Sequence, residues 1–380
     1  MRATRFLYML LACVGTSLVL GEVLPDDRAD VLYHSYDGGG ISIQGPSILV
    51  RKKFGDSFAA TYNHYVDMIS GASIDVVTQA SAYKEERKQD SLGFEFLHGK
   101  STYSGGYIRS IENDYNARTA YFNASQQMFG DLTTVSMGFT RGWDVVGNSQ
   151  NPLFKQDVDR RDWQVGLSQV LTRNLLLGAN FEVTESEGYL NNPYRSVRYV
   201  DATSAKGYSY EPEKYPHTHT GNAASVQLKY YLPWRAALDG TYRFYSDTWD
   251  IHAHTFRLGY TQPWHSWTFD GRVRYYRQNA ADFYSDLYPY QNSQNFLARD
   301  RELAQFHSVT LGAGASWEFK PGWAHWISKG TLNISYDRLH IDYDDYRDVR
   351  DTACEPACLG AEPLYVLDAN VLQAYVSIWY

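Results

Sequence analysis

The chain has 380 residues, 35 basic against 43 acidic, and a formal net charge of −8. Such an acidic balance argues against nucleic acid as a partner. After residue 21, no segment approaches the ~20 apolar residues that a spanning helix needs, which excludes a helical membrane protein.

The first residues read as an export signal. Met1-Arg2-Ala3-Thr4-Arg5 is basic, Phe6 to Leu20 is apolar, and Val19 and Gly21 suit cleavage after Gly21. Leu10-Leu11-Ala12-Cys13 also looks like a lipoprotein-processing site, but the apolar run continues past Cys13. Removing residues 1–21 leaves 33 basic and 43 acidic residues. Residues 22–380 are expected to form one domain.

From there on, segments of about ten residues alternate apolar and polar positions. In Trp267 to Tyr275, Trp267, Phe269, Gly271, Val273 and Tyr275 share one face, and Thr268, Asp270, Arg272 and Arg274 the other. Period-two alternation of this kind is a β-strand with two unlike faces. Repeated behind a signal, it predicts an all-β, antiparallel transmembrane β-barrel. The hydrophobic fraction is 44%, yet mean hydropathy is −0.45, as expected if half of each strand faces water.

The predicted strands are 28–37, 41–53, 57–69, 88–98, 101–111, 117–128, 132–143, 160–171, 175–187, 221–232, 235–247, 251–262, 266–278, 304–319, 329–342 and 367–380. That is about sixteen, with fourteen as the alternative if strands around the first hairpin at Gly38-Gly39-Gly40 fail. Tight connections such as Phe54-Gly55-Asp56, His98-Gly99-Lys100 and Phe129-Gly130-Asp131 alternate with long polar stretches at 70–87, 144–159, 188–220, 279–303 and 343–365. Outer-membrane barrels place short turns in the periplasm and long loops outside. The tryptophans sort accordingly. Trp234, Trp264, Trp267, Trp317, Trp323, Trp326 and Trp379 fall near the periplasmic rim, and Trp143, Trp163 and Trp249 near the outer one. Arg on the lipid face near mid-membrane costs ~2–4 kcal/mol, so charged positions are assigned to the lumen. The last strand ends on an aromatic, Tyr380.

Several stretches resemble a bacterial family known as domain-of-unknown-function 3570 (DUF3570). They include Tyr33-His34-Ser35-Tyr36-Asp37-Gly38-Gly39-Gly40, Gly130-Asp131-Leu132-Thr133-Thr134-Val135-Ser136, Tyr189-Leu190-Asn191-Asn192-Pro193-Tyr194-Arg195-Ser196-Val197-Arg198-Tyr199 and Ala280-Ala281-Asp282-Phe283-Tyr284-Ser285-Asp286-Leu287-Tyr288. The resemblance implies an outer-membrane barrel of a Gram-negative bacterium and transfers no activity. His217-Thr218-His219 departs from the family pattern.

A sixteen-strand barrel encloses an aqueous channel. Glu182, Lys229, Asp239, Arg243, Arg257, Asp270, Arg272 and Arg274 are predicted to form a charge ladder on its wall, either as paired wall charges or as a selectivity device. The loop 188–220, with Asn191, Asn192, Arg195, Arg198, Asp201, Glu211 and Glu213, is predicted either to constrict the channel or to cap it. Cys354 and Cys358 are expected to form a local disulfide. No metal site is assigned: His217 with His219 and His252 with His254 supply too few ligands, and Asp342, Asp344 and Asp345 could bind calcium only together with backbone oxygens. Gly55-Asp56-Ser57-Phe58 resembles a lipase nucleophile block but reads as a hairpin turn. The expected function is passive passage of small polar solutes, with no cofactor and no chemical step. The alternatives are a non-conducting scaffold for an envelope protein and a surface receptor acting through long loops. No residue pattern specifies an oligomeric state.

Overall fold

In a computed structural model the alternating segments form one closed wall. The structure describes residues 24–71, 83–350 and 357–380. The export signal, Cys13 and Cys354 lie outside the described residues. The strands are β1 (Arg28–Gly38), β2 (Ile41–Phe54), β3 (Phe58–Gly71), β4 (Tyr83–His98), β5 (Ser101–Ile111), β6 (Tyr115–Met128), β7 (Thr133–Gly147), β8 (Lys155–Thr172), β9 (Leu175–Gly188), β10 (Ser196–Val200), β11 (Tyr208–Pro212), β12 (Thr218–Tyr231), β13 (Ala237–Asp247), β14 (His252–Trp264), β15 (Trp267–Gln278), β16 (Phe306–Phe319), β17 (Lys329–Arg347) and β18 (Leu364–Trp379). A single 3-10 turn, η1, covers Arg301–Leu303.

Sixteen of these strands make the barrel, each antiparallel to its neighbours, and β1 pairs with β18 to close it. β10 and β11 are a separate hairpin inside one outer loop. The first hairpin is present. Gly39 and Gly40 turn it with φ of 59° and 80°, a conformation that favours glycine. Gly55-Asp56-Ser57 is the short connection between β2 and β3, as its sequence suggests.

The outside of the wall is apolar. Val31, Leu92, Leu258 and Val273 on four different strands are all exposed there, Leu92 at 62%. Among the described residues no helix is long and apolar enough to cross a membrane. The wall crosses with strands instead, where closure leaves no unpaired edge in lipid.

Several strands run further outward than the alternation suggests. β4 begins at Tyr83, β7 reaches Gly147, β8 begins at Lys155 and β17 reaches Arg347. Beyond the membrane a strand needs no apolar face, so hairpin pairing continues where the sequence pattern stops. One tryptophan sits elsewhere than predicted. Trp249 is buried, its ring against Tyr215 and Phe283, and is no interface anchor. Trp379 does lie at the periplasmic rim, beside Arg28 and Lys329, on the inward parity of β18.

Candidate functional site: a charged vestibule under a folded loop cap

The ladder residues lie on the inward parity of β9 and β12 to β15. Arg243 bonds to Glu182 at 3.2 Å. Arg272 is held by two carboxylates, Asp270 at 2.8 Å and Asp337 at 2.5 Å. Lys229 and Asp239 are opposite one another on β12 and β13. Arg257 is different. Its cross-strand neighbour on β15 is Arg274, a second cation. Among the described residues neither makes an ion pair, and Arg274 Nε is buried without a hydrogen-bond partner. The Arg274 guanidinium lies over the Tyr276 ring at 5.1 Å. Like charges directly opposite are destabilising. The arrangement therefore leaves net positive charge facing the lumen at one height.

Asp337 was missed in the sequence. It sits on the inward parity of β17, between the apolar Tyr336 and the outward Arg338, and that parity was the available signal. A second inward group was also missed. His34 on β1 bonds to Asp67 on β3 at 2.6 Å, Arg87 on β4 bonds to the same carboxylate at 2.5 Å, and Tyr65 stacks on His34 at 4.7 Å. The four come from three individually unremarkable strands, β1, β3 and β4.

Above this vestibule the loops 189–217 and 279–305 fold together. Backbone bonds join them. Val200 N donates to Tyr288 O at 2.9 Å, Tyr288 N to Arg198 O at 2.9 Å, and Leu297 N to Lys214 O at 2.8 Å. Val197, Tyr288 and Leu297 form a dry centre with no exposed surface. On one side the cap packs Leu190, Tyr215, Phe283 and Leu303 against Tyr115, Val146 and Val158 of β6, β7 and β8. On the other, Ala304 joins Tyr36, Ile43, Tyr276, Ile341 and Leu367. Inward residues from opposite sides of the wall are thus buried at the same end. Loop material spans the outer mouth.

Six of the seven loop residues named above, all but Asp201, are buried within this cap. Arg198 bonds to Glu362 at 2.5 and 3.1 Å and to Asp286 at 2.5 Å. Asp286 also bonds to Arg299 at 2.8 Å. Burial pushes the Asp286 carboxyl up, but the guanidiniums of Arg299 and Arg198 more than offset it and hold it below the ordinary range. Arg195 pairs with Asp300, which also caps η1 by accepting from Glu302 N at 3.0 Å. Asn191 donates to Glu213 O at 2.6 Å, and Glu211 accepts from Asn292 N at 2.8 Å. These contacts turn their polar groups into the loops rather than toward the channel. Asp201 differs, lying at the hairpin tip. Hydrogen bonds from Ser209 and Thr203 pull its carboxyl down to about 2.

Glu213 carries a pH signature. Burial, then the nearby Asp300, pushes its carboxyl up to about 8, although Arg195 opposes this. Its Oε1 accepts from Arg299 N at 2.8 Å, and the Tyr215 hydroxyl also acts on the carboxyl. Between the unfolded value of 4.5 and about 8, the folded cap holds a proton that the unfolded loop releases. Stability should therefore fall as pH rises across that window and level off above it. Hydrogen exchange of the loop amides at pH 5 and pH 9 will show this loss, and Glu213→Gln should remove most of it. An equal pH dependence in the variant would refute the assignment.

The histidine and aspartate sets differ in where they point. His217 precedes β12, whereas His219 faces inward onto Asp247 at 2.8 Å. His252 and His254 point outward, His252 stacked on Phe244 and His254 tilted against Phe244 and stacked on Tyr242. Asp342 and Asp344 face His307, and Asp345 accepts from Gln305 N at 2.9 Å. Cys358 is disulfide-bonded.

Residues 76–331 match the family described as "Protein of unknown function (DUF3570)". The chain belongs to that family. The match takes in both cap loops and the ladder from Glu182 to Arg274, so the DUF3570 segment contains most of the site. No curated protein matches the chain. Among solved structures, a bacterial polysaccharide outer membrane secretin is similar at 6% identity and a TM-score of 0.49, covering 93% of this chain and 98% of that one. Pseudomonas aeruginosa OccK2 in complex with glucuronate is similar at 9% identity and 0.44, covering 93% and 96%. Outer-membrane expressed OmpT of Vibrio cholerae is similar at 10% and 0.44, covering 94% and 100%. These DUF3570 likenesses concern the barrel and carry no functional argument.

Proposed function

We propose that this barrel is an outer-membrane channel for small polar solutes, with a preference for anionic ones, that rests closed beneath its own loops. The observation that carries the reading is the Arg257–Arg274 pair: two unneutralised cations opposite one another on a wall wide enough to hold water. Their mutual repulsion is relieved when an anion sits between them. Arg272 and Arg243 contribute less field because carboxylates already answer them. No chemical step is involved; selection is by size and by field.

Planar-bilayer recording of the purified protein tests this. The intact barrel should be nearly silent, with rare openings of anion-preferring conductance. Arg257→Gln with Arg274→Gln should lower the anion preference of those openings severalfold, by about what two fewer charges in a focused field supply. The outer-wall change Arg338→Gln should leave it alone. Reversal potentials unmoved by the lumen pair would reject the selectivity role.

The filled mouth favours a second reading, a non-conducting scaffold whose vestibule receives a periplasmic protein. Complete silence, persisting when the cap is loosened, would select it.

A further inference from the structure

We infer that the outer wall of β5 to β7 carries a binding site for the phosphate headgroup of an outer-leaflet lipid. These three strands and the neighbouring β4 give the outward parity unambiguously, since Leu92, Tyr107, Phe122 and Met137 are exposed there. On the same faces lie Arg109 on β5, Arg118 on β6 and Arg141 on β7. Arg109 and Arg118 are directly opposite one another. Trp143 is the next cross-strand neighbour of Arg118, and the Arg141 guanidinium lies over its ring at 5.3 Å.

Depth identifies the solvent. Each arginine lies roughly ten residues from the periplasmic turns. At ~3.4 Å per residue and a ~40° tilt, that is on the order of 25 Å, the height of the apolar band. These cations therefore sit at the outer interface, with apolar side chains below and headgroups beside them.

Arg141 is already held by Asp159 at 2.8 Å, whereas among the described residues no protein carboxylate pairs directly with Arg109 or Arg118, Asp90 acting on Arg109 only from beyond ion-pair distance. Asp90 is the cross-strand neighbour of Arg109, but its carboxylate is engaged by Tyr62 at 2.6 Å and His64 at 2.8 Å. Among the described residues neither Arg109 nor Arg118 makes an ion pair. On the opposite side of the barrel, Arg338 at a comparable height is matched by Asp368 at 2.8 Å. Two repelling guanidiniums at a lipid interface need an anion from outside the chain. Phosphate fits, because each guanidinium binds it through two parallel N–H donors.

The test uses the full folded barrel in neutral detergent, titrated with a bis-phosphorylated glucosamine lipid and followed by tryptophan fluorescence, since Trp143 adjoins the site. Arg109→Gln with Arg118→Gln should raise the half-saturating lipid concentration at least tenfold. Arg109→Lys with Arg118→Lys should retain most of the binding, and Arg338→Gln all of it. Heat-modifiable gel mobility confirms that each variant is folded. Equal binding by the Gln double variant overturns the site. Equal binding of the dephosphorylated lipid overturns the phosphate assignment, and saturation by inorganic phosphate alone overturns the lipid assignment.

Discussion

Arg198→Ala should open the cap. Arg198 has no exposed surface, and it joins three outer loops by bonding Glu362 on one and Asp286 on another. Burial pushes the Glu362 carboxyl up, and the Arg198 hydrogen bond outweighs it and holds the group below its ordinary value. Removing the arginine strands a buried carboxylate, and breaking such a pair from one side costs about 3–5 kcal/mol. Asp286 keeps Arg299, so the loss concentrates where residues 357–363 meet the hairpin. The cap should shift toward an open population, seen as frequent channel openings in planar bilayers and as new protease cleavage within 189–217. Replacing both charges, Arg198→Met with Glu362→Leu, should restore much of the closed state, because a well-packed apolar pair substitutes for a buried ion pair. Silence and intact loops in Arg198→Ala would show that the cap is held by its dry centre alone.

Gly45→Ala should impair barrel assembly itself. Gly45 and Pro46 interrupt the pairing of β2 with β3, which resumes in the same register at Ser47 and Tyr65. A Cβ on Gly45 would lie 1.8 Å from the Val66 backbone oxygen. No side chain can move to relieve that contact; one strand has to give way. The adjoining Asp67, buried between His34 and Arg87, would be displaced with it. Cells or refolding mixtures should yield little heat-modifiable, folded barrel, a loss at the upper end of single-substitution effects. Gly240→Ala, where a Cβ meets nothing within 4 Å, is the matched control. Normal yields of both proteins would show that β2 and β3 can separate at that point without harm.

The wall was legible because lipid enforces a simple rule. Every spanning strand must present apolar side chains at alternate positions, so parity alone placed Arg257, Asp270, Arg272 and Arg274 inside. Partners were less legible. Asp337 reaches Arg272 across 65 residues of sequence, and nothing near Arg272 announces it. The cap was harder still. Asn191, Arg195, Arg198, Glu211 and Glu213 read as a wet, polar constriction because polar residues in a long loop normally meet water. They are buried because they bind one another and the loop 279–305, a pairing that has no period. Trp249 misled for a related reason, since an aromatic at a strand end looks the same whether it meets headgroups or a packed loop.

The joint between β1 and β18 has a consequence for the order of events. Arg28 faces Trp379 and Gly38 faces Ala369, so residues more than three hundred positions apart are bonded neighbours along the whole seam. Contacts that remote form slowly, since the intervening chain must first be gathered. The inward residues that hold the loops belong to strands on both sides of that seam. The cylinder has to zip shut before its lid has anything to rest on, so a nascent barrel passes through a stage that is round but unplugged.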